Sequence, residues 1–394
     1  MSKYSEECIY DLMAKVQGGA SWDKITGFLN KKYGLVEEHM AFRGLYHRNK
    51  ARFETTDEDA LSIDLLKKAA TAKKSSSINN KKTKLALEAL TRTEYLTEQV
   101  NQALKSYDKK TVKVSYKPIK QNKKGKKPKM TLALDISDIH GGLKTEQFDY
   151  KVIEERLKYL VRVFVDELKR NTLSYTVEDI IITINGDVIE NGDLHEDSMK
   201  SCEESNPGQV ATMIEILFDN LIAPIAALGV KTRVLGTAGN HDRKSKLRCM
   251  HKQGKEGYSW IIYRALEKLS KIAKHKNLEY IIPEGYGAVL KIQGSNILYE
   301  HGDMIKAHTK AGLLNHMINR QDQLNIKLHG LRVGHTHEFF QIGRRVIVNG
   351  PFMCGNSYSD SSGYSTEPVQ TIVSYVKSRS RENSLFRVFP VVLP

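Results

Sequence analysis

"MTLALDISDIH", residues 130–140, is an apolar, β-branched run that ends abruptly in a polar cluster. The same texture returns in "DIIITINGDVI" (179–189), "VKTRVLGTAGNHD" (230–242), "AVLKIQGSNILYEHGD" (288–303), "KLHGLRVGHTH" (327–337) and "RRVIVNG" (344–350). Between several of these lie stretches of helical periodicity, such as "YKVIEERLKYLVRVFVDEL" (150–168) and "YSWIIYRALEKLSKIAKH" (258–275). Strands alternating with helices predict a layered α/β domain. In such folds a ligand sits in the crevice beyond the strand ends, where loops converge.

With 394 residues and 40% hydrophobic content, the chain can bury a sizeable core and is long enough for more than one domain. No apolar run approaches the ~20 residues of a membrane-spanning helix. The start, "MSKYSEECIYDL", carries acids and no long apolar segment, which excludes a secretory signal. Cys8, Cys202, Cys249 and Cys354 are widely spaced, without a C-x-x-C pair, which argues against a disulfide framework or a thiolate zinc site. The expectation is a cytoplasmic protein with no membrane partner (in the host cytoplasm, if phage-encoded).

The net charge of +15 is local: residues 1–129 hold 28 Lys and Arg against 15 Asp and Glu, the remainder 33 against 31. Residues 1–60 are nearly balanced at 9 to 10, so the excess falls in 61–129, at 19 to 5. Such a block is a solvated tether that also attracts polyanions, nucleic acid foremost.

Residues 5–52 read as three short helices. The first stops at Gly18-Gly19, and the second starts at Ser21 and aligns Trp22, Ile25, Phe28 and Leu29 on one face. The third has Met40, Leu45 and Tyr46 as its apolar residues, together with Arg43, Arg48, Lys50 and Arg52. A tight turn before a helix ending in arginines resembles a helix-turn-helix nucleic-acid module, although small three-helix units also bind proteins. Residues 67–84 are polar and basic, a flexible linker by composition; a helix over 85–107 and a strand over 111–119 follow. Lys123, Lys124, Lys126 and Lys127 form a second basic tether that would contact phosphates. The domains expected are therefore 1–60, helical; 61–129, a basic linker; and 130–394, the layered domain. The last two segments, "VQTIVSYV" and "SLFRVFPVV", resemble closing strands of a second sheet.

Five strands of the layered domain end in metal-binding residue types: Asp138 and His140; Asp187; Asn240, His241 and Asp242; His301; His335 and His337. Alternation along a strand sends His335 and His337 to the same side. Carboxylates, an amide oxygen and imidazoles without thiolate suit Mn²⁺, Fe²⁺ or Zn²⁺ better than Ca²⁺ or Mg²⁺. Seven donors are too many for one tetrahedral ion with an open position, but fit two ions sharing a carboxylate.

"SDIHGG", "NGDVIENGD", "AGNHDR", "YEHGD" and "VGHTH" resemble, in order, the five motifs of the calcineurin-like metallophosphoesterases, over roughly residues 130–350. The resemblance implies a four-layer α/β/β/α sandwich, here preceded by the small all-α helix-turn-helix-like domain and the basic linker. It also implies two divalent ions, Mn²⁺ first, with Fe²⁺, Zn²⁺ or Mg²⁺ as alternatives. Asp138, His140, Asp187 and His337 would hold one ion; Asp187, as bridge, with Asn240, His301 and His335 would hold the other. His241 matches the family's non-ligand histidine that assists the leaving group, and Asp242 would orient it. A hydroxide bridging the ions would attack the phosphate ester.

The leading substrate expectation is nucleic acid, DNA before RNA, because "GNHD" is similar to the family's repair-nuclease branch, whose phage and bacterial members this chain resembles. The runner-up is a phosphatase or phosphodiesterase acting on nucleotides or phosphoproteins. Against phosphoprotein, Asn191 stands where the protein-phosphatase branch has the arginine of G-D-x-V-D-R-G. An inactive nucleic-acid-binding regulator is a third reading, which the complete ligand set opposes. Asp193 and His195 follow the Asp187 loop and are candidates for the substrate groove. His251, His275, His308, His316 and His329 read as surface or packing histidines. A homodimer and a partner ATPase are both left open.

Overall fold

The computed structural model describes residues 4–49, 115–121, 127–194, 196–244, 253–353, 367–377 and 383–394. Lys50, Arg52, Lys123, Lys124, Lys126, His195 and the expected helix over 85–107 lie outside the described residues. Two compact units divide the chain, Met1–Thr93 and Glu94–Pro394.

The first unit holds α1 (Glu6–Gln17), α2 (Trp22–Tyr33) and α3 (His39–Asn49). Ser5 caps α1 by accepting a hydrogen bond from the Cys8 N–H, with Glu6 and Glu7 against the positive end of the helix dipole. Gly34, at φ 64°, closes α2 in the left-handed conformation that only glycine adopts freely. Cys8, Leu12, Ile25, Leu29, Phe42 and Leu45 meet in one small core. Met40 does not join it: it is 62% exposed, and Phe42, two residues on, takes the inward position on α3.

In the second unit the elements are β1 (Lys129–Ile136), α4 (Tyr150–Ser174), β2 (Thr176–Asn185), α5 (Glu196–Ser201) and α6 (Asn206–Leu217). A π-helical turn (Phe218–Ile222) carries α6 on into α7 (Ala223–Ala226). Then come β3 (Thr232–Thr237), α8 (Gln253–Glu256), α9 (Tyr258–Ile272), β4 (Leu278–Ile281), β5 (Gly287–Ile292), β6 (Ser295–Glu300) and α10 (Lys310–Leu324). The chain finishes with β7 (Gly330–Val333), β8 (Phe340–Ile342), β9 (Val346–Val348), β10 (Val369–Val376) and β11 (Leu385–Val392).

Six strands form one sheet in the order β11-β10-β1-β2-β3-β4, and five form another in the order β5-β6-β7-β9-β8. Side-chain alternation builds three apolar layers from these two sheets. On one face of the first sheet, Leu132, Leu134, Ile180 and Ile182 pack against α4, α6 and α9, whose Leu157, Val210 and Ile262 they meet. On its other face, Ala133, Ile181 and Leu235 meet Ile297 and Tyr299 of the second sheet. Leu298 and Leu331, pointing outward from that sheet, are covered by Leu313 and Met317 of α10. The result is a helix/sheet/sheet/helix sandwich, an α/β fold of four layers.

The helical run Asn206–Ala226 is long and apolar enough to cross a membrane, yet Val210, Met213, Leu217 and Leu221 sit in the first core. Glu215 and Asp219 break the run in the sequence, which hides it there. Residues 115–121 form no strand; Ile119 donates to the Leu228 carbonyl, and Gln121 exchanges hydrogen bonds with Val177. β10 and β11 do not close the second sheet as expected. They extend the first, β10 lying antiparallel to β1 with Leu134 opposite Ile372. Ile372 packs with the helices while Val373 and Tyr375 pack between the sheets, so both faces of β10 are covered.

β1, β2 and β3 are parallel, as are β6, β7 and β9, so all six send their C-terminal ends to loops. The two sets of loops are tied together. Asn185 Nδ2 donates to the Glu300 carbonyl across the sheets, and the His335 N–H donates to the Asp138 carboxylate.

Candidate metal centre

All seven expected ligands come from these loops and converge. Asp138, His140 and His337 form one group, with donor atoms within 4.8 Å of one another, and Asp187, His301 and His335 form a second. The Asn240 amide oxygen lies 3.1 Å from His301 Nε2, beside the second group. Asp187 stands between them: its Oδ2 is 3.0 Å from His301 Nε2 and 4.0 Å from His140 Nε2. His140 and His337 point ring nitrogens at each other across 3.1 Å, an approach suited to two imidazoles sharing one cation.

Local backbone conformation makes this convergence possible. Asp138, His140, Asp187, His335 and His337 all have positive φ, between 50° and 70°. Side-chain-bearing residues reach that region at a cost of order 1–3 kcal/mol each, and such strain persists where the surroundings enforce it. Two motif glycines are needed for close approach. A Cβ on Gly239 would run into the Asp187 carboxylate, and one on Gly334 into that of Asp138.

Of the candidate ligands, Asp138, His140, Asp187 and His301 are buried and Asn240, His335 and His337 half-buried, and their charges shape one another. Burial alone would raise the Asp187 carboxyl, but the imidazoles of His301, His241 and His140 hold it well below the usual range. His301 shows the converse: burial lowers it, and Asp187 and Asp138 carry it well above an ordinary histidine. His335, half-buried beside His301, is pushed down to about 4 by partial burial and the neighbouring His301, and so offers a neutral nitrogen. Hard carboxylates, an amide oxygen and imidazoles in two groups about one shared carboxylate fit a pair of divalent ions.

His241 is anchored by its backbone N–H, which donates to Asp187 Oδ1 at 2.7 Å. Its Nδ1 lies 2.7 Å from the Glu190 carbonyl oxygen, and its ring meets that of His140 edge-on at 4.7 Å between centroids. Burial would lower its pKa; the charges of Asp187 and Glu190 raise it overall. Asp242 does not orient this ring as expected. Its two oxygens accept from the backbone N–H groups of Asp187, Val188 and Gly239 at 2.7–3.0 Å, clamping the ligand loops. Neighbours in sequence here serve different structures.

Glu190 is the site residue that the sequence reading misses. Its Oε2 is 2.7 Å from His140 Nδ1, and its Oε1 accepts from Ser198 Oγ at 2.6 Å. A carboxylate on the far nitrogen of a metal-ligand histidine fixes the tautomer and the ring angle. Burial would raise Glu190, but its bond to His140 brings it down to about 2. Asn349 and Gln370 are also missed. Asn349 Nδ2 donates to Ser137 Oγ and Gln370 Oε1, and Gln370 Oε1 accepts from the Ser137 N–H, bracing the loop that carries Asp138. A lone polar residue in a loop gives no periodic signal, so only the motif spacing after Asp187 could have pointed to Glu190.

Asn191 is a brace as well. Its Nδ2 donates to the carbonyls of His241 and Arg243, and its Oδ1 accepts from Asn206. Asp193 is exposed and accepts from Asn206 Nδ2. His308, read from the sequence as ordinary, lies with its ring 5.5 Å from that of His335. Of the proposed nucleic-acid contacts, Arg43 and Arg48 are exposed on α3, the Arg43 guanidinium 5.6 Å above the Trp22 ring. Lys127 donates to the Thr172 carbonyl.

No family model matches this sequence, and no curated protein does. Among solved structures, similarity is found to a zinc complex of Vps29 from Entamoeba histolytica, at 16% identity and a TM-score of 0.28, over 66% of this chain and 98% of that one. Vps29 from Cryptosporidium parvum follows at 12% identity and a TM-score of 0.30, over 67% and 98%. A predicted phosphoesterase from Streptococcus pneumoniae shows 11% and 0.28, over 66% and 98%. Similarity of that degree transfers neither activity nor partners, and the architecture stands on the chain's own strands and layers.

Proposed function

We infer that the chain is a metal-dependent phosphoesterase of calcineurin-like type, and that its substrate is the phosphodiester backbone of nucleic acid. The observation that carries the first part is Asp187, whose carboxylate reaches from the Asp187–His301–His335 group to His140 of the other. Asp138, His140 and His337 would hold one ion, and Asp187, Asn240, His301 and His335 the other. Bound there, two divalent ions supply Lewis acidity to phosphoryl oxygens and acidify a water into a nucleophile.

The remaining work falls to the protein. Glu190 fixes the His140 ring, and Asp242 fixes the backbone that presents Asp187 and Val188. His241, held through Nδ1 by the Glu190 carbonyl, delivers a proton from Nε2 to the departing oxygen, as a general acid. Arg243, only 8% exposed, donates through Nε to the Asn240 carbonyl and brings a guanidinium next to the ligand loop, where it can steady phosphate charge.

Nucleic acid is supported by the basic composition of residues 61–129 and by the exposed arginines of α3. The test compares single- and double-stranded DNA, RNA, a bis-aryl phosphodiester and an aryl phosphomonoester with Mn²⁺. Cleavage of polymer and diester, with polymer binding that weakens steeply with salt, is expected. Monoester turnover without any nucleic-acid cleavage would overturn the nuclease reading. A chain beginning at Glu94 keeps residues 115–121 against β2 and the Leu228 carbonyl, and should retain diester turnover; polymer affinity should fall in part, with the loss of the α3 arginines and of eight of the nineteen Lys and Arg in 61–129.

A further inference from the structure

A cavity of about 10 Å³ lies between the two sheets, with Asp135, Thr183, Asn185, Tyr299 and Arg332 in its lining. These residues belong to β1, β2, β6 and β7, and each of those strands runs on into an expected ligand. Asp135 stands three residues before Asp138, and Arg332 three before His335. Three polar atoms of the lining have no hydrogen-bond partner among the described residues: Asp135 Oδ2, Tyr299 Oη and Arg332 Nη2. Their residues are at most 5% exposed, so bulk water does not serve them. The rest of each polar group is well held. Asp135 Oδ1 accepts from Thr183 Oγ1 at 2.9 Å, while Arg332 donates through Nε to Tyr375 Oη and through Nη1 to the Leu331 and Arg345 carbonyls. The Tyr375 hydroxyl beside Tyr299 is thus engaged by Arg332. A carboxyl of one sheet and a guanidinium of the other therefore border one small space without bonding directly, although buried polar groups are almost always paired.

We propose that this cavity is the site of a single internal water molecule, which accepts from Arg332 Nη2 and Tyr299 Oη and donates to Asp135 Oδ2. The room suits one water, for which ~10–15 Å³ is the minimum. About three hydrogen bonds is also the usual number for a water inside a protein. Charge selects against other occupants. A cation would face the Arg332 guanidinium, an anion the Asp135 carboxyl, and an apolar group would leave all three atoms unmet. A neutral molecule of one heavy atom that both donates and accepts meets every demand. Held there, it joins the first sheet to the second directly beneath the loops that carry Asp138, Asp187, His301 and His335.

Crystals of the full-length protein soaked in rubidium bromide give the direct test. One solvent peak is expected within ~2.7–3.2 Å of both Asp135 Oδ2 and Arg332 Nη2, without anomalous scattering. A closed cavity with Asp135 bonded directly to Arg332, or no density between them, overturns the proposal. Anomalous signal at that position also overturns it, because the occupant would then be rubidium or bromide. In solution, oxygen-17 relaxation dispersion counts waters that remain bound for longer than the protein takes to tumble. Asp135→Leu removes the acceptor and fills its place with a side chain of similar size. The parent should hold one more long-lived water than this variant, and equal counts overturn the proposal. The crystal measurement needs no substitution, so it decides the matter even if Asp135→Leu fails to fold.

Discussion

At its C-terminal end β7 runs into His335 and His337, held at positive φ among buried carboxylates; at its N-terminal end Leu328 and His329 border a recess beside α10. Four residues, Gly330–Val333, separate the two. The first end is tightly braced: Asp138 accepts twice from the His335 N–H, and glycines at 239 and 334 clear space for carboxylates. The second is open and lined by long flexible side chains. A site that is to hold ions to fractions of an ångström calls for backbone strain and buried charge; an open surface recess is under neither demand.

The comparison breaks most severely at Asp187. Asp187→Asn should drop metal content from two ions per chain to one or none and lower diester turnover by about 10⁴-fold, ~5.5 kcal/mol of barrier. Elemental analysis beside a turnover assay checks it, and full metal content would remove Asp187 from its bridging role. His241→Ala should keep both ions and lose turnover by roughly 10²–10³-fold, the scale of a missing general acid. A parallel loss of metal would make His241 a ligand.

Asp135 tests the layer beneath the ligand loops. It is buried between the sheets, its Oδ1 accepting from Thr183, and burial outweighs Arg332 to push it up to about 6. The folded state therefore keeps this proton more tightly than the unfolded chain, whose carboxyl titrates near 4. Its effect on stability is most favourable below about pH 4 and is lost as pH rises through about 6, on the order of 3 kcal/mol. Urea midpoints from pH 4 to 7 should lose that slope in Asp135→Asn; an unchanged slope would show that another group carries it. Gly334→Ala should cost about 1–3 kcal/mol through overpacking against Asp138 and Ser137. Thermal midpoints with and without Mn²⁺ read it, the larger drop coming with metal if the Asp138 carboxylate is displaced.

Much of the candidate metal centre was legible because each expected ligand sits in a short string after an apolar strand. The strand "MTLALDI" and the polar "SDIH" behind it are contiguous, so the strand end offers Asp138 and His140 as candidates, and their place in the ordered set of five motifs singles them out. Glu190 was not legible, since a carboxylate in a polar loop looks like any solvated acid until His140 is found 2.7 Å away. Adjacency misled at Asp242, because successive side chains leave a tight loop in different directions. β4 and β8, at four and three residues, are too short to show a period against their neighbours.

What the linear order determined is a set of strands with ligand-bearing ends and a helical unit ahead of them, since periodicity and motif spacing are local properties of a chain. Which sheet receives β10 and β11 was decided by long-range pairing with β1. The left-handed ligand conformations, the Glu190 brace and the recess beside α10 were decided in the same way. Each depends on contacts between residues dozens to hundreds of positions apart, whose energies exist only once the layers have packed.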